Sequence, residues 1–171
     1  VIRSLYRALG GILDEPELRP GRWDLTYDPV VIELDEEMHF NRYRAVTLGV
    51  DAVASTPWAA AYRDFCETHE RRAGTGGRRW TSSPSERMFG SAAPHWVADG
   101  GGAPRWKQRA LYDAMKDITA AAGTVRLSRL SVYDTVDGVR LENLLRGRAI
   151  VAPSALRTFV ESRTVDPRRQ F

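Results

Sequence analysis

Four residues in the first quarter of the chain, Asp24, Glu33, Asp35 and His39, have the types and spacing to do hydrolytic chemistry. Around them Trp23, Leu25 and Tyr27 alternate with Asp24 and Thr26, and Val30, Ile32 and Leu34 alternate with Val31, Glu33 and Asp35. That period-two pattern predicts two half-buried strands, and Asp28-Pro29 between them predicts the turn of a hairpin. A turn symmetric about Asp28-Pro29 sets Asp24 opposite Glu33, whereas a turn starting at Asp28 sets Asp24 opposite Asp35. In both registers the three carboxylates share one face, because paired residues and residues two apart do. Like charges that close repel, and a hard divalent cation such as Mg²⁺ is a natural reason to gather them. The solvated face of an ordinary hairpin is the competing reading. His39 follows directly, with an ordinary pKa of about 6.5 that suits a general base. A helix-start hydrogen-bonding role and a place in solvent are its alternatives.

A strand-borne Asp, a turn and then hydrophobic-Glu-x-Asp resemble the core of the PD-(D/E)xK nuclease superfamily. The form Glu33-x-Asp35-x-x-x-His39, followed by an arginine-bearing helix, resembles the branch related to very-short-patch-repair endonucleases. Residues 1 to 50 carry this resemblance best. It implies an α/β, restriction-endonuclease-like fold, a mixed β-sheet flanked by helices. It also implies an endonuclease that hydrolyses DNA phosphodiesters in repair, restriction or phage defence. By position, Asp24 and Glu33 are the implied ligands of Mg²⁺ or Mn²⁺. Asp35 takes the place that lysine holds in most of the superfamily, supporting that ion or binding a second, and His39 is the implied base or water-orienting group. Asp24, Glu33, Asp35 and His39 thus form the expected catalytic set, and the first three the expected metal ligands.

The sequence departs from the pattern in three places. Glu36 stands where glycine is usual, Arg22-Trp23 precede the first Asp where proline is typical, and no lysine follows Glu33 at the second position. The missing cation is expected from Arg42, Arg44 or Lys107. The last departure supports an alternative, the same fold without catalysis, holding nucleic acid or a protein partner. A metal-dependent hydrolase of a small phosphorylated substrate is a third class.

Composition bounds these readings without choosing among them. Twenty-five Lys and Arg against 22 Asp and Glu give a net charge of +3 and a pI near 9.3, and only Lys107 and Lys116 are lysines. An arginine excess suits phosphate contact and follows equally from GC-rich coding. Arg42, Arg44, Arg71, Arg72, Arg78, Arg79 and Lys107 are the candidate nucleic-acid contacts, with solvated surface as the bland reading of each. Gly74 to Gly77 lack the lysine and spacing of a phosphate-binding P-loop. Trp80, Trp96 and Trp106 are core residues or base-stacking platforms. The single Cys66 excludes an intrachain disulfide and a cysteine zinc site, His69 fits a packed helix face, and His95 has no partner in sequence. No run is apolar enough for a membrane helix, and no signal-peptide hydrophobic region is seen. The expected protein is cytoplasmic, with DNA as partner and a homodimer or a protein partner left open.

The elements that must position these residues read as one domain over residues 1–171. Its core is expected from residues 1–50 and 104–134, with an insertion over 71–103 and a C-terminal helical extension over 139–171. Helices are predicted over Val1–Leu9, about Met38–Leu48, from Thr56-Pro57 to about Arg72, and from Pro104 to Gly123. A strand is predicted over Thr124–Tyr133, and its phase slip near Ser128-Arg129 predicts a bulge. Short helices follow over Val139–Leu145 and Ser154–Arg163. The superfamily core has three strands before its crossover helix, and the chain fits it if the third is short or lies within residues 47 to 100.

Overall fold

The alternating segment forms a hairpin whose second arm is largely buried, whereas the first arm, at the sheet edge, is exposed along its length rather than half-buried. Strand β1 (Leu25–Tyr27) runs antiparallel to β2 (Val30–Asp35). Tyr27 faces Val30 and Leu25 faces Ile32, so the turn is the symmetric one, and the same register carries Asp24 to a place opposite Glu33. The computed structural model describes residues 1–27, 29–74 and 80–166. Asp28, the end of the glycine-rich loop with Arg78 and Arg79, and the tail after residue 166 lie outside the described residues.

In chain order the remaining elements are α1 (Ile2–Ala8), a 3₁₀ turn (Glu37–His39), α2 (Arg42–Leu48), α3 (Asp51–Ala54), α4 (Ala59–Ala73), α5 (Ser83–Phe89) and α6 (Pro104–Ala121), then β3 (Arg126–Ser131), β4 (Thr135–Val136), β5 (Val139–Arg140), α7 (Leu141–Leu145), α8 (Pro153–Ser162) and β6 (Thr164–Val165). Strand β2 runs parallel to β3, from Val30 beside Arg126 to Asp35 beside Ser131, and β3 pairs antiparallel with β6. The protein is therefore a mixed α/β structure with a four-stranded mixed sheet in the order β1-β2-β3-β6. A parallel pair needs a crossover connection, and the helices between β2 and β3 supply it.

The two faces of the sheet are covered differently. On one, Val31, Leu127 and Val165 pack with Phe40, Leu48, Trp58, Tyr62 and Cys66 of the crossover connection. On the other, Ile32, Leu34 and Leu130 pack with Leu141, Phe159 and Val160 of α7 and α8. Local signals fix the helix starts beside the site. The side chain of Asn41 accepts the N–H groups of Tyr43 and Arg44 and so caps α2. Pro104 opens α6, where a missing N–H costs nothing.

Other parts of the chain depart from the sequence pattern for physical reasons. The β2–β3 register is unbroken, so there is no bulge at Ser128-Arg129; the hydrophobic phase slips because Arg129 is fully buried on the inward face. No strand occurs among the described residues from 47 to 100, which form α3, α4 and α5 instead. Helix α4 begins at Ala59 rather than at Pro57, because the Thr56 hydroxyl turns back to donate to the Val53 carbonyl and closes the preceding turn.

No helix among the described residues is long and apolar enough to cross a membrane. Cys66 is 2% exposed, and burial pushes its thiol up to about 12. Since the thiolate is the reactive form, a thiol reagent at neutral pH should leave the folded protein unlabelled and label it fully in urea. Rapid labelling without denaturant would show that this packing is wrong.

Candidate functional site

Glu33 and Asp35 lie two apart on β2 and are both buried on the face that α6 covers. Helix α6 brings Asp113, Lys116 and Asp117 to that face, a spacing of three and four residues that aligns side chains on a helix. Lys116 Nζ donates to Glu33 Oε1 at 2.7 Å and to the Arg22 carbonyl at 2.8 Å. Burial raises the Glu33 carboxyl above its ordinary value, and the pull of Arg129 and Lys116 offsets this only in part.

Asp35 belongs to a separate buried net. Arg129 NH1 lies 2.7 Å from both of its oxygens, and His39 Nδ1 lies 3.0 Å away. The same guanidinium reaches Asp117 through Nε at 2.5 Å and the Asp113 carbonyl through NH2 at 3.2 Å. Arg44 closes the far side, 2.6 Å from Asp117, and His39 Nδ1 is 2.8 Å from Asp113. Two guanidiniums thus face three carboxylates, and a third positive charge must come from His39 or its neighbour Arg109.

Burial alone would raise the Asp35 and Asp113 carboxyls. The field of Arg129, His39 and Arg44 overcomes it and holds both below the ordinary value of 3.8. A carboxyl depressed in the folded state gives stability that is complete above its unfolded pKa and is lost as pH falls through the folded one. The contribution of these two carboxyls to the unfolding free energy should therefore be flat from neutrality to about pH 4 and drop steadily below it, and Asp113→Asn should flatten that drop. An acid limb as steep in Asp113→Asn as in the parent would refute the assignment.

For His39, burial opposes charge, but Asp113 and Asp35 outweigh it and raise the imidazole to about 9. Arg109 sets a separate condition on the ring, because its NH1 lies 2.6 Å from Nε2. A guanidinium offers only donors, so while Arg109 sits there Nε2 must accept. The ring then carries one proton, on Nδ1, between Asp113 and Asp35.

Beside this net an open cleft of about 890 Å³ lies between the hairpin and α6, lined among others by Asp24, Glu33, Glu36, His39, Arg109 and Lys116. Asp24 is exposed there, and its Oδ2 accepts the Leu34 N–H at 2.9 Å. Asp24 and Glu33 are the two expected ligands that reach the cleft, and an open site with one or two carboxylates and room for water suits Mg²⁺ or Mn²⁺.

Several expectations need correction. Asp24, Glu33 and Asp35 do not converge on one point. Among the described residues the one group of three close enough to share an ion is Asp35, His39 and Asp113, and there Arg129 already neutralises Asp35, so a dication would meet a guanidinium at 2.7 Å from the same oxygens. Asp35 is thereby removed from the metal-ligand set and is a structural partner of Arg129. Arg42 is clamped by Glu70, with Nε and NH2 each 2.8 Å from its oxygens. Arg44 is fully buried on Asp117, and Lys107 is buried beside the Tyr43 ring at 5.4 Å. None of the three faces the cleft, so none supplies the missing cation. Arg71 and Arg72 end α4, away from the cleft, with Arg72 over the Tyr133 ring, and Arg78 and Arg79 lie outside the described residues. Trp80 and Trp106 are buried, as the bland reading expects, while Trp96 is 43% exposed. His69 is half-buried and stacks on Tyr133 at 3.8 Å.

A family model matches residues 4–147, a stretch that includes every residue of the cleft and the net. The chain belongs to this family of unknown function, DUF7255. No curated protein and no solved structure matches it. The DUF7255 region ends after α7, so α8 and β6, which cover the far side of the sheet, fall outside it.

Lys116, Asp113, Asp117, Arg109 and Arg129 were all missed from sequence. The available signals were charges at three- and four-residue spacing along the apolar stripe of α6, and an arginine where β3 lost its phase.

Proposed function

We propose that the chain hydrolyses DNA phosphodiester bonds in the α6 cleft with Mg²⁺ or Mn²⁺, on a restriction-endonuclease-like core. One observation carries this reading: Lys116 places an ammonium 2.7 Å from Glu33 in the cleft that Asp24 also lines. The cation that the resemblance lacks two residues after Glu33 is thus supplied from α6. The hairpin, crossover helix and parallel strand also agree with the core that the resemblance implies, apart from one strand.

In this reading Asp24 and Glu33 would hold the ion, which supplies polarisation of a phosphate oxygen and a lower pKa for a bound water. Lys116 neutralises charge as it builds on the phosphate oxygens, and its bond to the Arg22 carbonyl fixes its direction. His39 would take or return a proton at Nε2, the ring nitrogen that Arg109 covers. The net behind it, with Asp113 and Asp35 on Nδ1, holds the ring in place.

The test is supercoiled plasmid incubated with Mg²⁺ or Mn²⁺, with and without a chelator, beside Asp24→Asn and Glu33→Gln. Nicking that needs the metal and disappears in both variants supports the reading. Equal nicking by the parent and Glu33→Gln would exclude it. The burial of Asp35 on Arg129 favours one second reading, a module that holds nucleic acid without cutting it. Retention of plasmid by all three proteins, with no nicks in any metal, would select that one.

A further inference from the structure

The contact between Arg109 and His39 is the least settled in the cleft. An arginine fork is matched to the two oxygens of a carboxylate or a phosphate, yet NH1 of Arg109 rests on one imidazole nitrogen at 2.6 Å. That nitrogen belongs to a ring whose other side is flanked by Asp113 at 2.8 Å and Asp35 at 3.0 Å. Those two carboxylates favour a second proton on the ring, and Arg109 holds the site that proton would occupy.

The charged groups around His39 come from four directions. Asp35 is on β2, Asp113 and Arg109 are on α6, Arg129 reaches Asp35 and Asp113 from β3, and Arg44 on α2 is tied in through Asp117. Glu36, before the 3₁₀ turn, lines the same cleft. Against three carboxylates and two buried guanidiniums, either Arg109 or a proton on Nε2 supplies the last positive charge. The two substitute for one another, and only Arg109 can leave, because it is half-buried at the cleft wall whereas Arg44 and Arg129 are sealed inside.

We propose that Arg109 is the anion receptor of the cleft, leaving His39 Nε2 for a phosphate oxygen when a phosphate group enters. Departure of the guanidinium frees Nε2, which takes a proton from solvent, and the vacated net stays charge-balanced. The imidazolium N–H then points into the cleft, where it bonds a phosphate oxygen or gives its proton to a leaving oxygen as the P–O bond breaks. This rests on the phosphodiesterase reading for its substrate class, but the receptor is measurable without cleavage.

The experiment uses the full chain without metal at neutral pH, with inorganic phosphate as the probe, followed by calorimetry in buffers of different ionisation enthalpy and by ¹⁵N spectra of the His39 ring. The parent is expected to bind phosphate with uptake of about one proton, and the ring to change from its Nδ1–H form to the doubly protonated form. Arg109→Ala should bind about tenfold or more weakly, and its His39 should be doubly protonated before phosphate is added. Arg109→Lys, which keeps the charge and loses the fork, should fall between. No phosphate binding by the parent, equal binding by Arg109→Ala, or an unchanged His39 ring in the bound protein would each overturn the proposal. Phosphate capture with this signature but no plasmid nicking would leave the receptor standing and remove the nuclease reading, and nicking with phosphate affinity unchanged in Arg109→Ala would do the reverse.

Discussion

Replacing Arg129 with methionine is expected to leave a chain with little or no cooperative unfolding transition. The guanidinium is fully buried and contacts Asp35, Asp113 and Asp117. Methionine matches its length but leaves those carboxylates with only Arg44 and the His39–Arg109 pair to offset them. Breaking one buried pair costs about 3–5 kcal/mol, and a domain of this kind has only about 5–15 kcal/mol in total. Arg44→Met, which leaves Asp117 still held by Arg129, should cost clearly less and retain a transition. Urea unfolding followed by circular dichroism separates the two. If Arg129→Met unfolds at the midpoint of the parent, the net does not support the fold, and neutralising Asp35 was not its role.

Lys116→Met should abolish most of the plasmid-nicking activity while the protein stays folded. Removing a group that stabilises charge in a transition state costs about 10²–10³-fold in kcat. Glu33, stranded by the substitution, still feels Arg129 and borders an open cleft, so the stability loss should be smaller than for Arg129. The loss is expected in kcat with little change in KM, since the ammonium acts where charge builds. Lys116→Arg keeps the charge with altered reach and should restore part of the rate. A Lys116→Met protein that nicks within about threefold of the parent would show that the ammonium only neutralises Glu33.

The hairpin was legible because alternation and the Asp28-Pro29 pair are local signals, and the face shared by Asp24, Glu33 and Asp35 followed from geometry alone. The partners of those acids were not. Lys116 and Arg129 lie some eighty to ninety-five residues from Glu33 and Asp35, and a single sequence shows spacing only within an element. Helix α6 carries an apolar stripe through Ala110, Leu111 and Ala114, and nothing local marks Asp113 and Asp117 beside it as buried. They are buried because β3 delivers an arginine against them. Arg42 and Arg44 illustrate the converse. On a helix beside a histidine they looked ready for phosphate, but Glu70 and Asp117 reach them from α4 and α6. Arginine type and position can be read from a chain; whether the fork is already occupied depends on tertiary structure.

The parallel pairing of β2 with β3 has a consequence for biosynthesis. Val30 meets Arg126 only after the whole helical crossover has been made, and closing a connection of that length is a late, entropically uphill event. An emerging polypeptide therefore carries its acidic strand without Lys116 or Arg129 for most of its translation. Ribosome-bound fragments that stop before Ser131 should remain protease-sensitive over residues 20–50, and resistance should appear in one step once β3 clears the exit tunnel.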